Sequence, residues 1–189
     1  MIPRLSASRS VLLIVDMQQT LMPVIHDGPA QIATVGRMAQ AARLLGIPVL
    51  ATEHVAGKLG QTVLPLAGYV DRVYHKATFD ACAEKAFFEV MPKDRQQVVL
   101  VGSEAHVCVM QTALGLLAAG HEVWLAADGC GSRHDSDKYA ASARLSLAGA
   151  VPVTSEMVLF EWLASPNHPA FREVLGLIKS RDSNRIKSV

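Results

Sequence analysis

Two uninterrupted apolar runs constrain this chain most, Val11-Leu-Leu-Ile-Val15 and Val98-Val-Leu-Val101. A strand with one wet face alternates apolar and polar residues. A run with no polar position is buried on both faces, as in a parallel sheet covered by helices. The rest of the chain supplies that cover. Further strands are expected at 47–52, 72–75, 121–127 and 151–154. Helical segments are expected at 29–45, 79–90, from the turn at 103–106 to Gly120, within 132–148, at 155–163 and at 167–179. Gly46, Gly120 and Gly149 stop helices, and Ser155 is read as a helix cap. Six alternations of strand and helix predict an α/β chain built on an open parallel sheet with right-handed crossovers. Residues 1–10 read as a polar lead-in and the tail from Ser180 as polar and loose. The irregular stretch 53–71 is long enough to be read as part of a site wall.

Composition narrows the function classes. Half of the 189 residues are hydrophobic, a surplus that suits a doubly covered sheet and a buried contact between subunits. A net charge of +1 gives no reason to expect nucleic acid or an anionic membrane as partner. Cys82, Cys108 and Cys130 are odd in number, widely spaced and without a Cys-x-x-Cys. They suggest neither a disulfide framework nor a zinc site. The first residues lack the ordered regions of a signal peptide, and no apolar run is long enough to span a bilayer. The expected location is the cytoplasm.

Sheets of this kind carry their sites at the carboxyl ends of the strands. Asp16 follows the first strand, Lys76 the third, and Cys108 the fourth after a short turn. An acid, an amine and a thiol on one edge suit attack by sulfur on a carbonyl carbon. Lys76 would stabilise thiolate and Asp16 would move the proton. A thiol at a helix start also feels the positive end of the helix dipole, which favours thiolate. Singly, each residue has a plainer reading: Cys108 as a small buried hydrophobe, Asp16 as a loop acid, Lys76 as a solvated charge. Cys82 and Cys130 keep the plainer reading, and Trp124 and Trp162 read as core or interface.

Val11-Leu-Leu-Ile-Val-Asp-Met-Gln18, Lys76-Ala-Thr-Phe79 and Gly102-Ser-Glu-Ala-His-Val-Cys-Val-Met-Gln-Thr-Ala113 together resemble the signature segments of the isochorismatase-like cysteine hydrolases. Thr52-Glu-His54, Ala127-Asp-Gly-Cys-Gly-Ser-Arg133 and Thr154-Ser-Glu-Met-Val-Leu-Phe160 extend the likeness over residues 10–180, within one domain, 1–189. The resemblance implies a three-layer α/β/α fold with a six-stranded parallel sheet. It also implies a catalytic trio of Asp16, Lys76 and Cys108. A non-proline cis peptide at Ser103–Glu104 would aim the N–H of Glu104, with that of Cys108, at an oxyanion. Gln18, Phe79, His106 and the loop Glu53–Lys58 are candidate substrate contacts, with Phe79 equally readable as core and His106 read first as a hydrogen-bonded turn residue. Cys108 argues against the vinyl-ether hydrolysis of true isochorismatases, which lack a nucleophilic cysteine. Glu53 and His54 are adjacent, and no Asp-x-His follows, so neither a metal nor nicotinamidase activity is expected.

The expected function is therefore hydrolysis of a small amide or another C–N bond through a thioester, with no cofactor. The expected partners are a small-molecule substrate and further copies of the chain in a homo-oligomer. Two other classes remain open: a thiol redox protein in which Cys130 resolves an oxidised Cys108, and a non-catalytic oligomeric interaction module.

Overall fold

The computed structural model describes residues 4–186, with side-chain surroundings as far as Ser180. In chain order its elements are β1 (Ser10–Val15), α1 (Gly28–Leu44), β2 (Val49–His54), α2 (Ala56–Leu59), α3 (Leu64–Ala67) and β3 (Arg72–Lys76). There follow α4 (Phe87–Val90), β4 (Gln97–Ser103), α5 (Met110–Ala118), β5 (Glu122–Gly131), α6 (Asp135–Leu147), β6 (Val151–Val153), α7 (Ser155–Leu163) and α8 (Phe171–Ile186). The six strands form one sheet in the order β3-β2-β1-β4-β5-β6, parallel at every pairing. The order reverses between β1 and β4, so the crevice at their carboxyl ends is the natural ligand site.

Both central strands are buried along their whole length, as their unbroken apolar runs require. Leu12, Ile14, Val99 and Val101 face a core shared with α1, α7 and α8. Val11, Leu13, Val98 and Leu100 face the other side, where Leu116 of α5 and Leu145 of α6 cover them. Trp124 and Trp162 both lie in the first core. Among the described residues, no helix is long and apolar enough to cross a membrane.

Several sequence boundaries move, each for a physical reason. The expected helix over 79–90 is broken into a 3-10 turn at Ala81–Ala83 and the single turn of α4. The Glu84 carboxylate, reached by the N–H of Ala77 at 2.9 Å and of Thr78 at 3.2 Å, folds this segment back on β3. Gly102 does not end β4. With φ +135° it carries the strand past β1, where a Cβ would lie 2.1 Å from the Val15 carbonyl oxygen. The ladder between β4 and β5 shifts register at this point, and β5 runs three residues beyond Asp128. The buried Gln31 amide bridges the irregularity, donating to the carbonyls of Gly102 at 2.9 Å and Gly129 at 3.0 Å.

The cap of α7 is Thr154, whose hydroxyl accepts the Met157 N–H, and Ser155 is already helical. Part of the irregular stretch forms α2 and α3. The lead-in contributes a buried Leu5 and a 3-10 turn at Ala7–Arg9. The final helix starts at Phe171 and continues to Ile186 through the segment expected to be loose. The remaining ends of lead-in and tail, 1–3 and 187–189, lie outside the described residues.

Candidate active site

Asp16 is the residue at which β1 stops. Its backbone sits at φ +50°, a conformation unusual for a non-glycine residue, and its carboxylate is fully buried. One oxygen accepts the Thr52 hydroxyl at 2.6 Å and the other accepts Lys76 Nζ at 2.6 Å. Lys76 reaches Asp16 from β3, so its side chain crosses β2. Its ammonium also donates to the carbonyls of Thr78 at 3.1 Å and Phe79 at 3.4 Å. Three acceptors around three N–H groups is the full complement for an ammonium. The broken segment after β3 thus turns its carbonyls toward the cation, which a continuous helix would not do.

Cys108 follows from β4. A π-helical turn, Ala105–Val109, separates the strand from α5, with Val109 N–H reaching back to the Glu104 carbonyl at 3.2 Å. The thiol is buried, and Asp16 and Lys76 are the two charged neighbours that act on its ionisation. The three side chains therefore meet in one shielded cluster. Burial works against the thiolate expected of a cysteine at a helix start. Burial, aided by the Asp16 charge, pushes the Cys108 thiol up to about 12, and the Lys76 ammonium opposes this only in part. Asp16 and Lys76 neutralise each other, so the thiol faces an ion pair rather than a bare cation. The shift favours the neutral thiol, with the Asp16 carboxylate as its neighbouring proton acceptor.

The Ser103–Glu104 peptide is cis. The Glu104 carboxylate binds Arg133 Nε at 2.7 Å, tying the turn before Cys108 to the end of β5. His106 is held by Ser132, Nδ1 to Oγ at 2.9 Å, and its other nitrogen lies 3.8 Å from an Asp137 oxygen. Gln18 is fully buried and braces the backbone. Its amide nitrogen donates to the carbonyls of His54 and Gly60, and its oxygen accepts the His54 N–H. Phe79 is half exposed, with its ring 5.2 Å from that of His54. Glu53 and His54 point to opposite faces of the sheet, the former to Thr62 and the latter to Phe79. No three His, Cys, Asp or Glu side chains among the described residues are grouped to hold a metal.

Cys130 lies opposite Gly102 in the β4–β5 ladder, fully enclosed, with its thiol directed at the Leu100 carbonyl. Cys82 contacts the Thr112 carbonyl, and all three cysteines are free thiols. Thr52 and Gln31 were given no role from the sequence. Thr52 and Gln31 do carry a signal there, as polar residues on otherwise apolar faces of β2 and α1.

A profile of the Isochorismatase domain matches residues 10–157. Isochorismatase domain-containing protein 2 of Xenopus laevis is 36% identical over 178 residues, spanning 94% of this chain and 87% of that protein. A Caenorhabditis elegans protein named MAR1 ribonuclease superposes with a TM-score of 0.87 at 35% identity, covering 93% of this chain and 92% of its own. The Escherichia coli YcaC gene product, described as an octameric hydrolase of unknown specificity, superposes with a TM-score of 0.78 at 21% identity, covering 95% of this chain and 97% of its own. This last likeness is one of fold.

Proposed function

The chain belongs to the isochorismatase family, a family of hydrolases, and from that premise we propose that it is a cysteine hydrolase cleaving a small amide or another C–N bond next to a carbonyl. The observation that supports this reading is the buried Asp16–Lys76 ion pair at the switch point of the sheet, with the buried Cys108 thiol within its electrostatic reach. Packing alone does not call for those groups, since burying an ion pair beside a thiol gains little over apolar residues of the same volume.

The neutral thiol suits a concerted first step. Cys108 Sγ attacks the carbonyl carbon as its proton passes to Asp16, and the carbonyl π bond opens to an oxyanion. The N–H groups of Glu104 and Cys108 are the expected oxyanion donors. The oxyanion collapses, the C–N bond breaks, and the amine departs with the proton returned from Asp16. Water then attacks the thioester as Asp16 takes its proton, the C–S bond breaks to release the acid, and Asp16 returns the proton to the departing sulfur. Lys76 holds the Asp16 carboxylate in place through their 2.6 Å contact and offsets negative charge as the thiol reacts. The steps need only side chains, backbone and water.

The test is release of ammonia or amine from a panel of small amides, with intact-mass detection of an acyl group on Cys108. Turnover with an adduct at Cys108, lost in Cys108→Ala and Cys108→Ser while the thermal transition is kept, is the expected result. Turnover unchanged in Cys108→Ala overturns the proposal. A labelled RNA belongs in the panel because of the nematode relative's name, and RNA cleavage that survives Cys108→Ala also overturns it. The same reading takes a homo-oligomer, as in the E. coli relative, acting on a small molecule in the cytoplasm, where three free thiols persist.

A further inference from the structure

A second cavity, of about 270 Å³, lies on the face of the sheet opposite Lys76, between the β2–β3 edge and α3. At its base is the Glu53 carboxylate, whose side chain is only 4% exposed. One carboxylate oxygen accepts the N–H of Thr62 at 2.7 Å and its hydroxyl at 2.8 Å. The other lies 3.3 Å from His75 Nδ1, an imidazole that is itself 67% exposed and is charged only when protonated. The contrast with Asp16 is instructive. That buried carboxylate has a lysine Nζ in contact, whereas Glu53 has no lysine or arginine partner among the described residues. An ionised carboxylate taken out of water is costly unless a charge and hydrogen bonds replace the solvent.

The walls above Glu53 are apolar. Leu64 and Val73 border the cavity and are the exposed large hydrophobic residues of this edge, and Val70 completes the wall. An anionic base under an apolar, partly open wall is complementary to an amphipathic cation. The volume equals that of roughly nine waters, enough for a ligand of about ten heavy atoms. We propose that this cavity binds a small organic cation, a primary alkylammonium or a similar amine, with its charge on Glu53 and its alkyl part against Leu64, Val70 and Val73. The site is separate from the Cys108 cluster and goes beyond the hydrolase reading. It does touch the stretch 53–71, which is expected from the sequence to wall the active site. Thr62, which binds Glu53, also pairs through its backbone with Gln18, two residues after Asp16.

The test is calorimetric titration of the full chain with n-butylammonium, 1-butanol and butyrate at neutral pH. Saturable binding of butylammonium, one per chain, with butanol and butyrate at least tenfold weaker, is expected. Glu53→Gln should weaken butylammonium at least tenfold. Val73→Lys, which carries its own ammonium into the cavity from a partly exposed position, should do the same and serves where Glu53→Gln fails to fold. Cys108→Ala should bind like the parent. Equal binding of butanol, full binding in both cavity variants, or loss of binding in Cys108→Ala overturns the proposal. So does binding seen only after dilution dissociates an oligomer, because a second copy would then be the occupant.

Discussion

Lys76 Nζ lies 2.6 Å from Asp16 Oδ2 with both side chains wholly shielded from solvent, although the two residues belong to strands separated by β2. The pair sets the state of the thiol beside it. Asp16 raises the Cys108 pKa and Lys76 lowers it, so the two single substitutions have opposite effects. Asp16→Asn is expected to make Cys108 alkylate faster at pH 7–8 than in the parent, while abolishing amide turnover for want of a proton acceptor. Lys76→Met is expected to make alkylation slower still. Iodoacetamide labelling followed by mass spectrometry checks both, and the same direction of change in the two variants would refute the account.

Thr52 donates to the Asp16 oxygen that Lys76 does not hold. Removing a hydrogen bond to a charged group costs about 1.5–3 kcal/mol. Thr52→Val keeps the side-chain shape, so the cost should fall on proton transfer. The expected result is a kcat loss of roughly 10–100-fold with KM little changed. A loss confined to KM would place Thr52 in substrate binding instead.

Gly102 combines a left-handed backbone with a closest approach that leaves no room for a methyl group. Gly102→Ala forces the end of β4 away from Val15, and with it the turn that carries Cys108. A destabilisation of about 3 kcal/mol or more is expected by urea unfolding. A variant of parent stability would show that the strand ends separate freely.

Alkaline pH should unfold the protein through its thiols. Burial is the main cause that pushes Cys82, Cys108 and Cys130 each up to about 12, whereas an unfolded cysteine ionises near about 8.5. Between these values the unfolded chain has lost thiol protons that the folded chain retains. Stability attributable to the thiols is thus complete below about pH 8.5 and is lost as pH rises toward 12. Cys130→Ala, removing the fully enclosed thiol, is expected to flatten the decline by about 1.4 kcal/mol per pH unit. Unfolding midpoints at pH 8, 9 and 10 under reducing conditions measure it, and parallel slopes for parent and variant would contradict it.

The order of strands and helices, and the three strand ends that carry Asp16, Lys76 and the Cys108 turn, were legible in the sequence. Apolar periodicity and glycine punctuation are local signals, and burial on two faces leaves a strand no polar position. The sequence did not reveal that Lys76 crosses β2 to reach Asp16, or that Thr52 and Gln31 brace the strand ends from other elements. Such partners are set by sheet order and register, which depend on residues far apart in the chain. The same limit explains the broken segment after Phe79. Its local pattern favours a helix, but its Glu84 carboxylate is drawn back to the N–H groups of Ala77 and Thr78, and its Phe79 carbonyl to Lys76. It also explains the thiol. A cysteine near a helix start suggests thiolate when read alone, and only the assembled fold supplies the burial and the neighbouring carboxylate that push the Cys108 pKa up.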